Sequence, residues 1–247
     1  MKSPSRIVFV DIETAPSLGY VWGKWEQNVI EFKQDWYILS FSYKVFGEKK
    51  IYTRSLIDYS GFAKDKENDE ALVNDLWKIF DEADIIIGHN VDKFDIRKTN
   101  SRFLSHKLPP PRPYKTVDTL KIAKRVFKFD SNKLDDLGRY LGLGRKLPHT
   151  GFHLWLGCMQ GDTKSWDLMK KYNAQDVALL EKVYMLMRPW STTHPNVNQG
   201  QIACPKCGST NTQKRGFSYT LLRQKQRFQC HGCGGWFEGS AKLPEKS

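Results

Sequence analysis

Asp11 and Glu13, separated by Ile12 at the end of the apolar run 7–10 (IVFV), have the spacing that a β-strand turns into a shared face, because successive side chains alternate. Two carboxylates projecting together from a strand end can hold a hard divalent cation, which prefers carboxylate oxygens and water. Further carboxylates follow at structured positions. Residues 89–95 (HNVDKFD) place Asp95 just after the apolar run 85–87, and Tyr172 and Asp176, four apart, share one face of a helix. Four carboxylates from three distant segments could bind two cations roughly 4 Å apart, the clamp used for in-line attack of water on a phosphodiester. Taken singly, Asp95 is as readily a helix cap, Asp176 a solvated helix position and Tyr172 a core residue.

A second group, Cys204, Cys207, Cys230 and Cys233, forms two CxxC pairs with 22 residues between them, the spacing of a closed four-thiolate zinc site. Gly208 and Gly234 follow the pairs and allow the tight turns that wrap a backbone around a metal. So short a segment buries little core, so one structural zinc ion would supply its folding free energy. Between the pairs, Lys214, Arg215, Lys225 and Arg227 interleave with Phe217, Tyr219 and Phe228, which suits phosphate attraction plus base stacking. Cys158 stands apart and reads as a buried apolar residue.

These groups need elements to position them. The chain has 247 residues, enough for one sizeable core with a small appendage. An aromatic and β-branched pair of segments, 37–46 and 50–56 around Gly47, reads as a hairpin, whereas 16–28 is too irregular to assign and is expected to be a loop. Asn68 can cap a helix over 69–83, followed by a buried strand over 84–88. Helical spacing recurs over 93–107, 132–143 and about 163–187, with a short strand and helix within 117–127. Residues 191–200 (STTHPNVNQG) read as a linker. Expected domains are therefore 1–190, the linker 191–200, and 201–247.

The balance of 39 Lys and Arg against 27 Asp and Glu, net +12, points to a polyanionic partner, nucleic acid foremost. No stretch approaches the roughly 20 apolar residues of a membrane span, and the amino terminus lacks a signal-type apolar region. A soluble, cytoplasmic protein is expected, with its cysteines reduced or metal-bound. His89 reads as structural, and Gly151 argues against His149 and His153 as a helical metal pair. Asp118, Asp135 and Asp136 read as helix-terminal or solvated.

In this order, Asp-Xaa-Glu, then Asn-Xaa-Xaa-Xaa-Phe-Asp (Asn90, Phe94, Asp95), then Tyr-Xaa-Xaa-Xaa-Asp resemble the three exonuclease motifs of the DEDDy group of 3′ to 5′ exonucleases, whose best known members are the proofreading domains of family B DNA polymerases. The resemblance covers about residues 6–187. It implies an α/β, ribonuclease H-like fold with a mixed five-stranded sheet flanked by helices. Carried over, Asp11, Glu13, Asp95 and Asp176 would hold two magnesium or manganese ions, Tyr172 would orient the attacking water, and Thr14, Asn90 and Phe94 would lie along the strand terminus. Lys133 and Leu134 resemble a further family segment. Residues 201–247 resemble zinc ribbons of transposase-associated and transcription proteins, with Lys214, Arg215, Lys225 and Arg227 expected to contact substrate. The expected function is a two-metal-ion exonuclease acting on nucleic acid, DNA in preference to RNA, with a replication or repair protein as a further partner. A catalytically silent nucleic-acid-binding adaptor and a structure-specific endonuclease using the same site are the alternatives.

Overall fold

The computed structural model describes residues 5–25, 28–197 and 203–239. Its centre is β1 (Ile7–Thr14), whose branched and aromatic side chains are sealed on both faces: Val8, Phe9, Val10 and Ile12 are all buried. β1 pairs antiparallel with β4 (Ile38–Val45), which pairs antiparallel with β5 (Tyr52–Ser55). On its other side β1 runs parallel to β6 (Ile85–Gly88), and β6 parallel to β7 (Lys115–Asp118). The result is a mixed five-stranded sheet in the order β5-β4-β1-β6-β7.

The alternation along β1 divides the core. Val8, Val10 and Ile12 pack with Leu72, Leu76 and Phe80 of α1 (Glu70–Glu82), while Phe9 packs on the opposite face with Val177, Leu180, Val183 and Tyr184 of α6 (Thr163–Met187). Asp11 and Glu13 follow Phe9 at intervals of two, so the strand that buries Phe9 under α6 also turns both carboxylates toward that helix. α2 (Asp95–Ser105), α3 (Thr119–Val126) and α4 (Leu134–Tyr140) complete the cover. Gly138 lets α4 approach α6 closely, since a methyl group there would lie 2.7 Å from the Gly144 carbonyl oxygen and 2.8 Å from Leu179.

Two segments depart from expectation. The stretch 16–28 is not simply a loop, because β2 (Leu18–Tyr20) pairs with β3 (Glu31–Gln34) in a separate hairpin. A helix unmarked by spacing, α5 (Phe152–Gln160), starts after Gly151, whose φ of 63° no β-branched residue would tolerate. Near the carboxyl end, β8 (Thr212–Tyr219), β9 (Gln224–Cys230) and β10 (Trp236–Glu238) form a small antiparallel sheet beside the four cysteines. It is tied to the larger body where Lys206 Nζ donates to the Pro189 carbonyl at 2.5 Å and Val197 N donates to Pro205 O at 2.8 Å. Among the described residues no helix is long and apolar enough to cross a membrane.

Candidate functional site

The chain's curvature brings Asp11 and Glu13 from β1 against Asp176 from α6, with one carboxylate oxygen from each within 4.8 Å of the others. Asn173, one turn before Asp176, locks the arrangement: its Nδ2 donates to Asp11 Oδ2 at 2.6 Å and to the Asp11 carbonyl at 3.2 Å. Burial and then the Asp176 charge push the Asp11 carboxyl up to about 7. Burial, with Asp11 and Asp176 beside it, likewise lifts Glu13 well above the usual carboxylate range. Like charges held this close and this dry cannot all ionise without a cation among them.

Part of that cation is supplied by Lys146, whose ammonium pairs with Asp176 Oδ2 and donates to the Tyr172 hydroxyl at 3.0 Å. Burial opposes the Lys146 charge, yet the Asp176 carboxylate raises its pKa above the ordinary lysine value. Nothing in the sequence marked Lys146. It sits in a loop, positioned because Asp135 Oδ1 accepts the Lys146 backbone N–H at 2.7 Å while Asp135 also pairs with Arg145 at 2.9 Å. Lys133, which the motif reading singled out, is at the amino-terminal cap of α4, and Leu134 is core. Asp176 Oδ1 remains buried with no hydrogen-bond partner. A buried carboxylate oxygen without a donor is costly, and a divalent cation is the group this donor set fits.

Asp95 is buried at the start of α2, its Oδ1 accepting the Ile12 N–H at 3.1 Å. It lies outside the close triad but behind it: burial and then Asp11 raise its pKa far above the usual range. Asp92, three residues before it, pairs instead with Lys121 at 2.6 Å. Tyr172 is buried, its ring edge-on to His149 at 4.8 Å and to Trp155 at 6.0 Å. His149 therefore serves as packing beside the site. Thr14 opens onto a cavity of about 300 Å³ that also holds Trp36, Lys98, Phe152 and Trp155. Phe94 is partly exposed, with the Lys98 ammonium 5.7 Å from its ring. Asn90 adopts φ 65° and its N–H donates to Asp118 Oδ1 at 2.9 Å, so its visible work is to shape the turn before Asp95. His89 is structural, its ring nitrogens 2.9 Å from the Thr119 hydroxyl and 2.9 Å from the Asn132 carbonyl oxygen.

The four cysteines converge. Cys204 Sγ lies 3.7 Å from Cys233 Sγ and Cys207 Sγ 3.6 Å from Cys230 Sγ, and all four fall within 4.8 Å of one another. Tetrahedral zinc–sulfur bonds of about 2.3 Å imply sulfur separations of about 3.8 Å, whereas a disulfide needs about 2.0 Å. Zinc therefore fits and cross-linking does not. Gly208 and Gly234, at φ 75° and 77°, close the two knuckles. Cys158 is fully buried and its thiol is pushed up to about 12 by desolvation, which makes it inert. Of the four basic residues between the pairs, Lys225 pairs with Glu238 at 3.0 Å and the Arg227 guanidinium lies 5.1 Å from the Trp236 ring. Arg215 Nε donates to Gln213 at 3.0 Å, and Lys214 is exposed.

No curated protein matches the chain. Among solved structures, the family B DNA polymerase from the hyperthermophilic archaeon Pyrobaculum calidifontis shares the fold, with a TM-score of 0.52 at 13% identity over 75% of this chain. The similarity spans 25% of the polymerase, so this chain corresponds to about a quarter of that protein's length. The RNase H superfamily model matches residues 31–188, which include Asp95, Lys146, Tyr172 and Asp176, while the strand bearing Asp11 and Glu13 joins them through the central position of β1 in the sheet. With that match over more than half its length and the mixed five-stranded sheet beneath it, the chain belongs to the RNase H superfamily.

Proposed function

We propose that this protein is a metal-dependent 3′ to 5′ exonuclease acting on nucleic acid, DNA in preference to RNA, with residues 201–247 folded on a zinc ion and helping to hold the substrate. The observation that carries the reading is the close triad of half-buried Asp11 and Glu13 with buried Asp176 beside Tyr172, with an Asp176 oxygen left without a donor. The polarity rests on the resemblance of the three motifs to those of 3′ to 5′ exonucleases alone. Asp11, Glu13, Asp95 and Asp176 would hold two magnesium or manganese ions, which would supply Lewis-acid polarisation of a phosphodiester and a nucleophilic water. Asn173 and the Ile12 N–H hold the Asp11 and Asp95 carboxylates in fixed orientations. The Tyr172 oxygen accepts from Lys146 and its hydroxyl lies against the Asp176 carboxylate, which holds it beside the acidic cluster where it would orient a water.

End-labelled single-stranded, duplex and branched DNA and RNA, incubated with magnesium, test this directly. A ladder shortening from the 3′ end, stopped by chelation, is expected. Internal cuts would favour the endonuclease, and binding without products the silent adaptor.

Tyr172→Phe keeps the ring's packing and deletes the hydroxyl. The kcat should fall by roughly 10² to 10⁴, the range for an orienting or proton-transfer group, while calorimetry finds magnesium affinity retained. Loss of that affinity would mean that Tyr172 builds the metal site instead.

Lys146→Met leaves Asp176 buried without its cation. Removing one partner of a buried pair costs about 3 kcal/mol or more, so the variant should melt well below the parent protein in chelator. Saturating magnesium should close much of that gap, because a divalent ion replaces the lost charge. A deficit that magnesium leaves untouched would contradict cation binding at Asp176.

A further inference from the structure

A cleft of about 530 Å³ runs along β7, the outermost strand of the sheet, between α3 and residues 191–193. One wall carries Lys121, Lys124 and Arg125, and the other Ser191, Thr192 and Thr193. α3 contains no acidic residue. The two acids that border the cleft are engaged already. Asp92 is paired with Lys121, and buried Asp118 accepts the backbone N–H groups of Asn90 and Leu120, each at 2.9 Å. Lys124 and Arg125 are exposed, and among the described residues neither has an ion-pair partner. Two free cations facing three hydroxyls form a donor-rich surface, and the anion that satisfies such donors is a phosphate.

The cleft's position gives it direction. At one end Asp118 anchors the turn that leads to Asp95, and at the other residues 191–193 lead toward the cysteine module, which touches the body at Pro189 and Val197. We propose that this cleft is a track for backbone phosphates, holding a nucleic-acid strand that runs between the acidic cluster and the cysteine module. The proposal rests on the nuclease reading and adds where the strand away from its reacting end lies. Each cation contributes through counterion release, so the contact is legible in salt dependence.

The test is the double variant Lys124→Ala, Arg125→Ala in the full chain, with binding of a long labelled single strand followed by anisotropy without magnesium. The slope of log K against log salt should flatten by about 1.4, from two contacts at about 0.7 each for single strands, with zinc content and melting temperature unchanged. The exchanged pair Lys124→Arg, Arg125→Lys should restore the slope. An unchanged slope in a folded, zinc-replete double variant overturns the proposal. Inorganic phosphate titrated calorimetrically distinguishes a small-anion site: phosphate binding lost in the double variant while the strand slope stays constant also overturns the track. Hydrolysis of a dinucleotide by the unaltered protein tests the nuclease reading alone, so a protein that cleaves while its slope ignores the substitutions refutes only the cleft.

Discussion

Asp176→Asn should leave a folded protein whose hydrolysis is slower by at least about 10³-fold, equivalent to roughly 4 kcal/mol of barrier. Asparagine matches aspartate in size, so the packing of α6 against β1 survives and the effect isolates charge. Lys146, whose side chain is 30% exposed, can turn its ammonium to water when its partner is neutralised. Asp11→Asn should behave alike, because a side-chain amide oxygen can still accept from Asn173 Nδ2. Both variants should melt near the parent temperature in chelator, since neutralising one of three crowded carboxylates relieves repulsion that burial makes severe. In magnesium they should fall behind it, having lost the cation that stabilises the native state. Turnover at the parent rate in either variant would remove the site assignment, and unchanged magnesium stabilisation would remove the metal from it.

The carboxylates were legible because local geometry pairs them and because the three motifs together resemble those of a known family. A period of two puts Asp11 and Glu13 together, a separation of four puts Tyr172 with Asp176, and the apolar run before Asp95 forces a strand end there. Lys146 and Asn173 carry no such signal. Lys146 reaches the site from a loop held by Asp135 in the first turn of α4, and Asn173 matters because of the register of α6 against β1. Aspartate 69 shows the same limit: it looked like the first residue of a helix, yet it is fully buried, accepting from Ile38 N and pairing with Arg102 and His106.

The missed elements have physical reasons as well. The β2–β3 hairpin exposes Leu18, Tyr20, Val29 and Phe32, so it shows none of the one-sided alternation that burial imposes on a strand. Helix α5 is apolar on most of its circumference, which erases the helical period, and it begins after a glycine that suggested a break. The basic residues of the cysteine module were counted from composition, but pairing is a tertiary property: Lys225 and Arg227 are partly spent on Glu238 and Trp236. On the proposed reading, phosphate contacts there would fall first to Lys214 and Arg215.

Zinc removal should unfold residues 203–239 while the five-stranded body persists. Beyond the cysteines, that segment buries only Ala203, Lys206, Phe228 and Gly235, with Phe237 stacked on Phe228 at 5.2 Å. Against an ordering cost of about 1 to 2 kcal/mol per residue for the backbone, so small a core cannot stand alone. Structural zinc contributes on the order of 10 to 16 kcal/mol in comparable sites, which outweighs anything else the segment contains. Cys204→Ser, or extraction with a strong zinc chelator, should therefore erase amide-exchange protection across β8, β9 and β10. Protection in β1, β4 and β6 should remain, because their hydrogen bonds lie in a core with no cysteine but Cys158. Native mass spectrometry of the parent should find one zinc ion and five unoxidised cysteines. Persistent protection in β8 and β9 after complete zinc loss would show that the hairpin holds itself, and the four thiolates would then need another explanation.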